Sequence, residues 1–140
     1  MRYTANGAYY QLRLEPGEEV VETLLRFCRA RRTKSGFLTG LGAAEDIVLG
    51  CFDPRRRAYR KRTLKGDHEI AALVGNVAWD GKLPISHIHA VVSTPTLAVL
   101  AGHLFSARVT VTCEIALVPG SRRLTRAVDP VYGLKLLNLP

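Results

Sequence analysis

The chain has 140 residues, a length typical of one domain that can bury most of its apolar surface. Its hydrophobic content of 47% argues against a disordered protein, and no apolar run approaches the roughly 20 residues that span a bilayer. The formal net charge of +8 favours polyanionic partners. The three cysteines lack the spacing of a disulfide framework, and the first residues lack the apolar core of a secretory signal. We therefore expect one domain over residues 1–140, located in the cytoplasm.

The first predicted elements are a strand and a helix. Residues 10–14 alternate between polar and apolar side chains, which is typical of a strand, and Pro16-Gly17 ends it. Residues 18–32 are the clearest helix, because acidic residues fill the first turn and basic residues crowd the last one. Apolar residues recur at helical spacing between them, so the helix is expected to pack one face against the core.

Strands dominate the rest of the chain. The alternation of apolar and polar side chains is best over residues 108–118, and turn signals separate earlier strands at 36–43, 47–52, 59–64, 69–79 and 85–92. After the last of these, Ser93 or Thr94 is a suitable cap for a short helix with Pro95 in its first turn. A basic turn and an apolar tail over residues 132–139 end the chain. One amphipathic helix with a mostly antiparallel sheet gives an α+β fold.

Three of the four histidines lie within seventeen residues, as His87-Ile88-His89 and Gly102-His103-Leu104. Residues two apart on a strand project from the same face, so the rings of His87 and His89 are expected to stand side by side. A third histidine from a neighbouring strand completes a set of three nitrogens, which is how catalytic zinc is held with one position left open. An H-x-H pair also arises by chance, as surface or hydrogen-bonded residues, so the pattern alone leaves both interpretations open.

The basic residues are concentrated in one short segment. Six of the twenty lie within eight positions, and they are Arg55, Arg56, Arg57, Arg60, Lys61 and Arg62. Such a cluster attracts polyanions by releasing their counterions, without contacts to particular bases. The alternative is a solvated hairpin tip whose charges prevent unwanted strand pairing. The cluster therefore indicates a candidate nucleic-acid surface but identifies no partner.

The order of these pieces resembles the PPC domain, which is named for plants and prokaryotes. The matching segments run through about residues 9–118 and leave 119–140 as a C-terminal basic turn and apolar tail. The segments are Leu12-Arg13-Leu14-Glu15-Pro16-Gly17, Gly40-Leu41-Gly42-Ala43, Leu73-Val74-Gly75-Asn76-Val77, Pro84-Ile85-Ser86-His87-Ile88-His89, Ala101-Gly102-His103-Leu104 and Val111-Thr112-Cys113-Glu114-Ile115.

The resemblance implies a compact subunit with a bent, mostly antiparallel sheet packed against one main helix, and assembly as a homotrimer. In bacterial and archaeal members the histidines of these motifs form a metal cluster, which corresponds here to His87, His89 and His103. The fold is also similar to that of acetolactate decarboxylase, which uses a three-histidine zinc centre, although a shared fold does not transfer an activity. In plants the domain follows AT-hook segments in nuclear DNA-binding proteins, and this chain has no Arg-Gly-Arg-Pro core of that kind.

The first functional hypothesis is therefore a trimeric metalloprotein that binds a divalent ion, with Zn²⁺ favoured, at the three histidines. Glu69, Asn76 and Glu114 are candidates for orienting the ligands or transferring protons, because a ligating imidazole usually donates its other N–H to such a group. An ion pair with a basic neighbour is the ordinary alternative for Glu114. A small-molecule ligand fits this hypothesis, but the sequence identifies neither a substrate nor a reaction.

The second hypothesis is a non-catalytic protein that binds DNA without sequence preference through the six clustered cations. The chain has no helix-turn-helix, zinc-finger or RNA-recognition motif, so base-specific recognition is not expected. A third hypothesis is an assembly module in which the histidines are structural.

Overall fold

The computed structural model describes residues 1–139, which form nine strands and one helix. All nine strands belong to one sheet. In chain order the elements are β1 (Arg2–Asn6), β2 (Tyr9–Leu14), α1 (Val20–Ala30), β3 (Gly36–Asp53), β4 (Ala58–Leu64), β5 (His68–Asp80), β6 (Leu83–Ser93), β7 (Val99–Pro119), β8 (Thr125–Val128) and β9 (Lys135–Asn138).

Four of the strands form a closed circuit of hydrogen-bonded pairs. β3 pairs with β5 and with β7, and β6 pairs with the same two strands. The register shifts at one point between β3 and β5 and at three points between β3 and β7, so the long strands bend and the sheet is distorted. Each strand pair is antiparallel apart from β5 and β8, which meet in a parallel bridge at Trp79 and Thr125. The sheet is therefore mixed rather than purely antiparallel.

Helix α1 begins two residues after the predicted start and ends two residues before the predicted end. Glu19 caps it, because its carboxylate accepts hydrogen bonds from the backbone N–H groups of Val21 and Glu22. Glu19 was expected inside the first turn of the helix. It lies just before the helix instead, and its carboxylate satisfies free backbone N–H groups of that turn. The buried face packs against the sheet through Val20, Thr23, Leu24, Phe27 and Cys28.

The short helix predicted after Ser93 is wrong. Thr94 begins a tight turn instead, in which its hydroxyl accepts a hydrogen bond from the backbone N–H of Ala98 at 3.1 Å. Leu97 has a φ of 64°, in the left-handed region, and β7 starts at Val99. A threonine that caps a helix can also close a turn by the same kind of side-chain bond, and here the turn is formed.

Sequence reasoning also missed three short strands. β1 pairs with β2 as a hairpin at the edge of the sheet, and β8 pairs with β9 within what was expected to be a basic turn and an apolar tail. Elements of four or five residues carry too few positions for a period of two to stand out. The hairpin of β8 and β9, here named the C-terminal hairpin, joins the rest of the sheet at Trp79, whose backbone N–H donates to Leu124.

One face of the sheet covers the hydrophobic core, while the other carries apolar side chains that remain about half exposed. The exposed set includes Phe37, Leu41, Val74 and Val118. Residues that pair directly across strands share a face, and Phe37 pairs with Asn76, which pairs with His87. The next row runs from Val74 to His89 and then to His103. The three histidines therefore lie on the exposed face, continuous with these apolar side chains.

Within residues 1–139, no helix has the length and apolar character needed to cross a membrane.

Candidate metal centre

Three imidazoles meet where β6 lies beside β7. His87 and His89 are two residues apart on β6, and His103 on β7 is paired directly with His89. The Nε2 atoms of His87 and His89 are 3.2 Å apart, and one nitrogen from each of the three rings lies within 4.8 Å of the other two. Strand pairing thus brings together the histidines that the spacing singled out.

Two glycines let the strands that carry these rings pack closely. Gly75 on β5 faces Ile88, the residue between the two β6 histidines, and a Cβ added to Gly75 would lie 2.8 Å from the Ile88 Cα. A Cβ on Gly102, beside His103, would lie 2.9 Å from the carbonyl oxygen of Gly50 on β3. Backbone atoms cannot give way as a flexible side chain can, so a larger residue at either position would push the strands apart.

The surroundings of His103 favour a neutral ring. The rings of Tyr59 and Phe105 have their centroids 5.1 and 4.7 Å from its own. Burial lowers the pKa of His103 to about 4, and the positive charges of the other two histidines add to the effect. Burial also lowers the pKa of His87, with a further contribution from the charge of Arg126. Neutral imidazoles keep a lone pair available, which is the form that binds a metal ion.

The geometry and chemistry of the donors suit a metal ion bound through nitrogen. A tetrahedral Zn²⁺ with Zn–N bonds of about 2.0–2.1 Å holds its ligand atoms about 3.3 Å apart, and the two β6 histidines match this with their 3.2 Å separation. The Nδ1 atom of His103 is buried and has no hydrogen-bond partner among residues 1–139, which is uncommon for a ring nitrogen away from water. Among residues 1–139, no other group of three or more histidine, cysteine or acidic side chains converges in this way.

A cavity of about 170 Å³ opens beside the imidazoles, and the C-terminal hairpin forms one of its walls. His87 and His103 line it together with Arg126 of β8. The guanidinium of Arg126 donates to the Oδ1 atom of Asn76 at 2.7 Å and to the carbonyl oxygen of Lys135 at 2.8 Å. Burial lowers the pKa of Arg126. The site therefore combines three imidazoles with one fixed cation.

Sequence reasoning did not include Arg126 among the candidate residues. It lies fifty positions after Asn76 in the chain and reaches the site only because β8 joins the sheet at the end of β5. No local sequence pattern predicts this contact, because an arginine in a four-residue strand of a basic segment cannot be distinguished by sequence from a solvated surface charge.

Of the three polar candidates from the sequence, only Asn76 lies beside the imidazoles, because it is paired with His87 across β5 and β6. Glu69 lies seven residues before Asn76 on β5, which is about 23 Å along an extended strand. It pairs with Ser93 and Ala43. Glu114 pairs with Arg13 and Leu41 at the other end of β7. The structure does not bring these two carboxylates to the histidines.

The six clustered cations lie on the hairpin formed by β3 and β4, and all are exposed. They do not form one surface. Lys61 lies on the histidine side, with its Nζ atom 3.8 Å from the centre of the Phe105 ring. Arg60 and Arg62 line a separate hollow on the opposite side of β4 with Leu100. Arg55, Arg56 and Arg57 lie at the turn. Within residues 1–139, only the guanidinium of Arg56 has a carboxylate within 4.0 Å, that of Asp53.

Comparisons with known proteins relate the chain to one family. The family model described as the Plants and Prokaryotes Conserved (PCC) domain matches residues 1–119. A crystal structure from Bacteroides thetaiotaomicron named "putative DNA binding protein" is 30% identical, with a TM-score of 0.94, and the match covers 98% of this chain and 96% of that one. The metal-containing protein of known structure from Archaeoglobus fulgidus is also 30% identical, with a TM-score of 0.88 and 99% of both chains covered.

A curated relative shares sequence with almost the whole chain. The bifunctional protein GlmU of a Synechococcus species is 30% identical over 139 residues, which are 97% of this chain. The chain spans about a fifth, 21%, of the length of that relative.

Proposed function

The chain belongs to the Plants and Prokaryotes Conserved (PCC) domain family, and we propose that it is a zinc-binding member of that family that works as a homotrimer. The observation that carries the proposal is the convergence of His87, His89 and His103, with one nitrogen from each ring within 4.8 Å of the others. A structural relative with 30% identity is a metal-containing protein, which agrees with this assignment. Zn²⁺ is preferred because three imidazoles with a fourth position left open are a typical zinc ligand set.

The three histidines would hold the ion, and the cavity beside them would receive a ligand. When bound, the ion supplies a water molecule acidified to a pKa near 7 and a Lewis acid for a carbonyl oxygen. Asn76 would fix the position of Arg126 through their 2.7 Å hydrogen bond. Tyr59 and Phe105 would keep bulk water away from His103 by covering its ring.

Metal analysis tests the zinc site directly. Protein loaded with Zn²⁺ and passed through a desalting column should retain about one ion per subunit, and His87→Ala/His89→Ala should retain none. The matched control is His68→Gln, because His68 lies outside the cluster and bonds the carbonyl oxygen of Gly66 at 2.8 Å. Wild-type protein that retains no zinc, or a double variant that retains as much as the control, would contradict the proposal.

The exposed apolar face supports the homotrimer. Phe37 is 54% exposed, and it shares the face with the similarly exposed Leu41, Val74 and Val118. A contiguous apolar patch on a folded subunit is typical of an interface. Because this face continues into the histidines, assembly through it would place the metal centre close to a neighbouring subunit.

Sedimentation equilibrium tests the assembly with a matched pair of variants. Phe37→Glu places a charge on the apolar face and should shift the protein from trimer to monomer. Val131→Glu is the control, because Val131 is exposed to the same degree, 55%, but lies outside the patch. A wild-type monomer at micromolar concentration, or a trimer that survives Phe37→Glu, would count against this face as the interface.

The alternative function is binding to DNA without sequence preference. Two observations favour it: the exposed cations at the turn of the β3–β4 hairpin, and a structural relative with 30% identity that carries a DNA-binding name. Of the three turn guanidinium groups, only that of Arg56 is paired with a carboxylate within residues 1–139, so most of this charge is available to phosphates.

Fluorescence anisotropy with a duplex oligonucleotide tests the alternative. The affinity of the wild-type chain should fall steeply between about 50 and 200 mM salt, and each lost phosphate contact should reduce the slope by about 0.9. Arg55→Gln/Arg56→Gln/Arg57→Gln should flatten the slope, whereas the charge-matched control Arg26→Gln/Arg29→Gln/Lys34→Gln should flatten it less. Equal slopes for the two triple variants would exclude the hairpin turn as the contact surface.

A further inference from the structure

The cavity beside the histidines has the charge of an anion-binding site. Besides the two imidazoles, its lining includes the cations Arg126 and Lys135 and the hydroxyl groups of Tyr59 and Ser86. None of the described residues that line it is acidic. Lys135 is already paired with Asp80, which lies outside the lining. The charge of Arg126 is therefore the one that faces the cavity without compensation.

Arg126 is held in place, but its hydrogen-bonding capacity is not used up. Its two hydrogen bonds go to the neutral oxygens of Asn76 and of the Lys135 backbone. A guanidinium has five N–H donors, so three have no partner within the described residues 1–139, and one of these is the buried Nε–H. A fixed guanidinium whose charge is not neutralised is the side chain best suited to bind a carboxylate.

We propose that the cavity binds a small hydroxy- or oxo-carboxylate, with the carboxylate on Arg126 and the hydroxyl or carbonyl oxygen toward the three histidines. Because that second oxygen needs a bound ion, the assignment rests on the proposed function. The volume of about 170 Å³ is well below that of a pocket for a drug-sized molecule, so it suits a small ligand. The walls contributed by Ile85, Leu134 and Leu136 are apolar and suit a short hydrocarbon part.

Inorganic phosphate would satisfy the guanidinium but would leave these apolar walls uncovered. A carboxylate on a short carbon chain satisfies both, and a hydroxyl or carbonyl on the adjacent carbon gives the second oxygen donor. Arg126, Leu134 and Leu136 all lie after residue 119, where the match to the family model ends.

Cobalt-loaded protein tests the proposal, because the visible absorption of Co²⁺ changes when a ligand enters its coordination shell. The probe is lactate, and the neutral isostere lactamide is the control ligand. Lactate should change the spectrum with an affinity that falls by about 10- to 100-fold in Arg126→Gln, the loss typical of a charge-assisted hydrogen bond. Arg126→Lys should lie between the two, and Arg62→Gln, which removes an exposed charge on the far side of β4, should bind as the wild type does.

Three results would overturn the assignment: lactamide binding as tightly as lactate, Arg126→Gln binding as tightly as the wild type, or phosphate binding more tightly than lactate. Thermal unfolding of each variant shows whether it is folded. If the Arg126→Gln variant is unfolded, two other measurements decide the outcome: the comparison of lactate with lactamide in the wild type, and the affinity of the Arg126→Lys variant for lactate.

Failure of the proposed function gives a different result. If the wild-type protein retains no metal, the zinc site is wrong, and the carboxylate site is then tested on metal-free protein. There the Nε–H resonance of Arg126 in a ¹⁵N NMR spectrum should shift with lactate and not with lactamide. An unchanged resonance would overturn the carboxylate site as well.

Discussion

Gly75→Ala is the most direct test of how the fold positions the metal centre. Gly75 lies on β5 opposite Ile88, and the two flanking cross-strand pairs are Val74 with His89 and Asn76 with His87. A methyl group at this position would lie 2.8 Å from the Ile88 Cα and 2.9 Å from its Cγ1, and closer still to the carbonyl oxygen of His87. The change therefore acts on the segment of β6 that carries two of the three imidazoles, without altering a ligand.

The expected size of the effect follows from these contacts. Carbon atoms pack at about 3.5–4.0 Å, so β5 and β6 must separate by roughly 1 Å to admit the methyl group. Overpacking of this kind costs about 1–3 kcal/mol of unfolding free energy, which in a chain of this length corresponds to a fall in Tm of about 3–5 °C per kcal/mol. Metal–ligand distances tolerate changes of only about 0.2 Å, so the zinc affinity should fall by at least about 10-fold.

Competition with a zinc indicator measures the affinity, and urea unfolding of the metal-free protein measures the stability. The control is Gly81→Ala in the turn that joins β5 to β6. Gly81 has a φ of 57° and open space around it, so the substitution costs about 1–2 kcal/mol of backbone strain but pushes on no neighbour. The Gly75→Ala variant should lose both stability and zinc affinity, whereas the Gly81→Ala variant should lose stability alone. Unchanged zinc affinity in Gly75→Ala, or an equal loss in both variants, would refute the positioning role.

Three further predictions concern other parts of the chain. Maleimide should label Cys51 alone in the folded protein and all three cysteines in urea, because Cys28 and Cys113 are buried and burial raises the pKa of both thiols to about 12. Rapid labelling of a second thiol without urea would contradict this. Trp79→Phe should lower the free energy of urea unfolding by about 1–3 kcal/mol, since the indole N–H donates to the buried carbonyl of Thr33 at 2.9 Å; an unchanged midpoint would show that the bond contributes nothing. Indicator competition should give Glu114→Gln the wild-type zinc affinity and Asn76→Ala a lower one, because only Asn76 is paired with a ligand histidine; the reverse order would contradict the geometry.

The sequence predicts the features that depend on local periodicity. Residues 108–118 alternate strongly and form part of β7, and the helical spacing after Glu18 identifies α1 to within two residues at each end. The histidine pair is predicted for the same reason, since the period of two fixes which face both rings share. His103 is also singled out by its closeness in the sequence, and the family resemblance makes the three histidines parts of one pattern; its place beside His89 depends on pairing between strands.

Features that depend on contacts between distant segments are not predictable in this way. Glu114 belongs to a motif that resembles the family pattern and Glu69 lies shortly before another, yet the strands that carry them are long enough to hold their carboxylates far from the histidines. Arg126, in contrast, lies at the site although no nearby sequence pattern predicts it. Its position depends on one parallel bridge between β5 and β8. Long-range pairing decides both outcomes, and single-sequence patterns do not encode it.

The candidate site is divided between two parts of the chain, one with the proposed metal ligands and one with the proposed carboxylate-binding residue. The imidazoles belong to β6 and β7, within residues 1–119 that match the family model. Arg126, together with Leu134 and Leu136 of the apolar wall, belongs to the C-terminal hairpin beyond that boundary. A change in the hairpin alters the charge and shape that a ligand meets without moving a histidine, since the ligand strands are held by their own pairing and by Gly75 and Gly102. The family fold therefore accounts for the convergence of the three histidines, while the residues after 119 supply the guanidinium that the proposed carboxylate would meet.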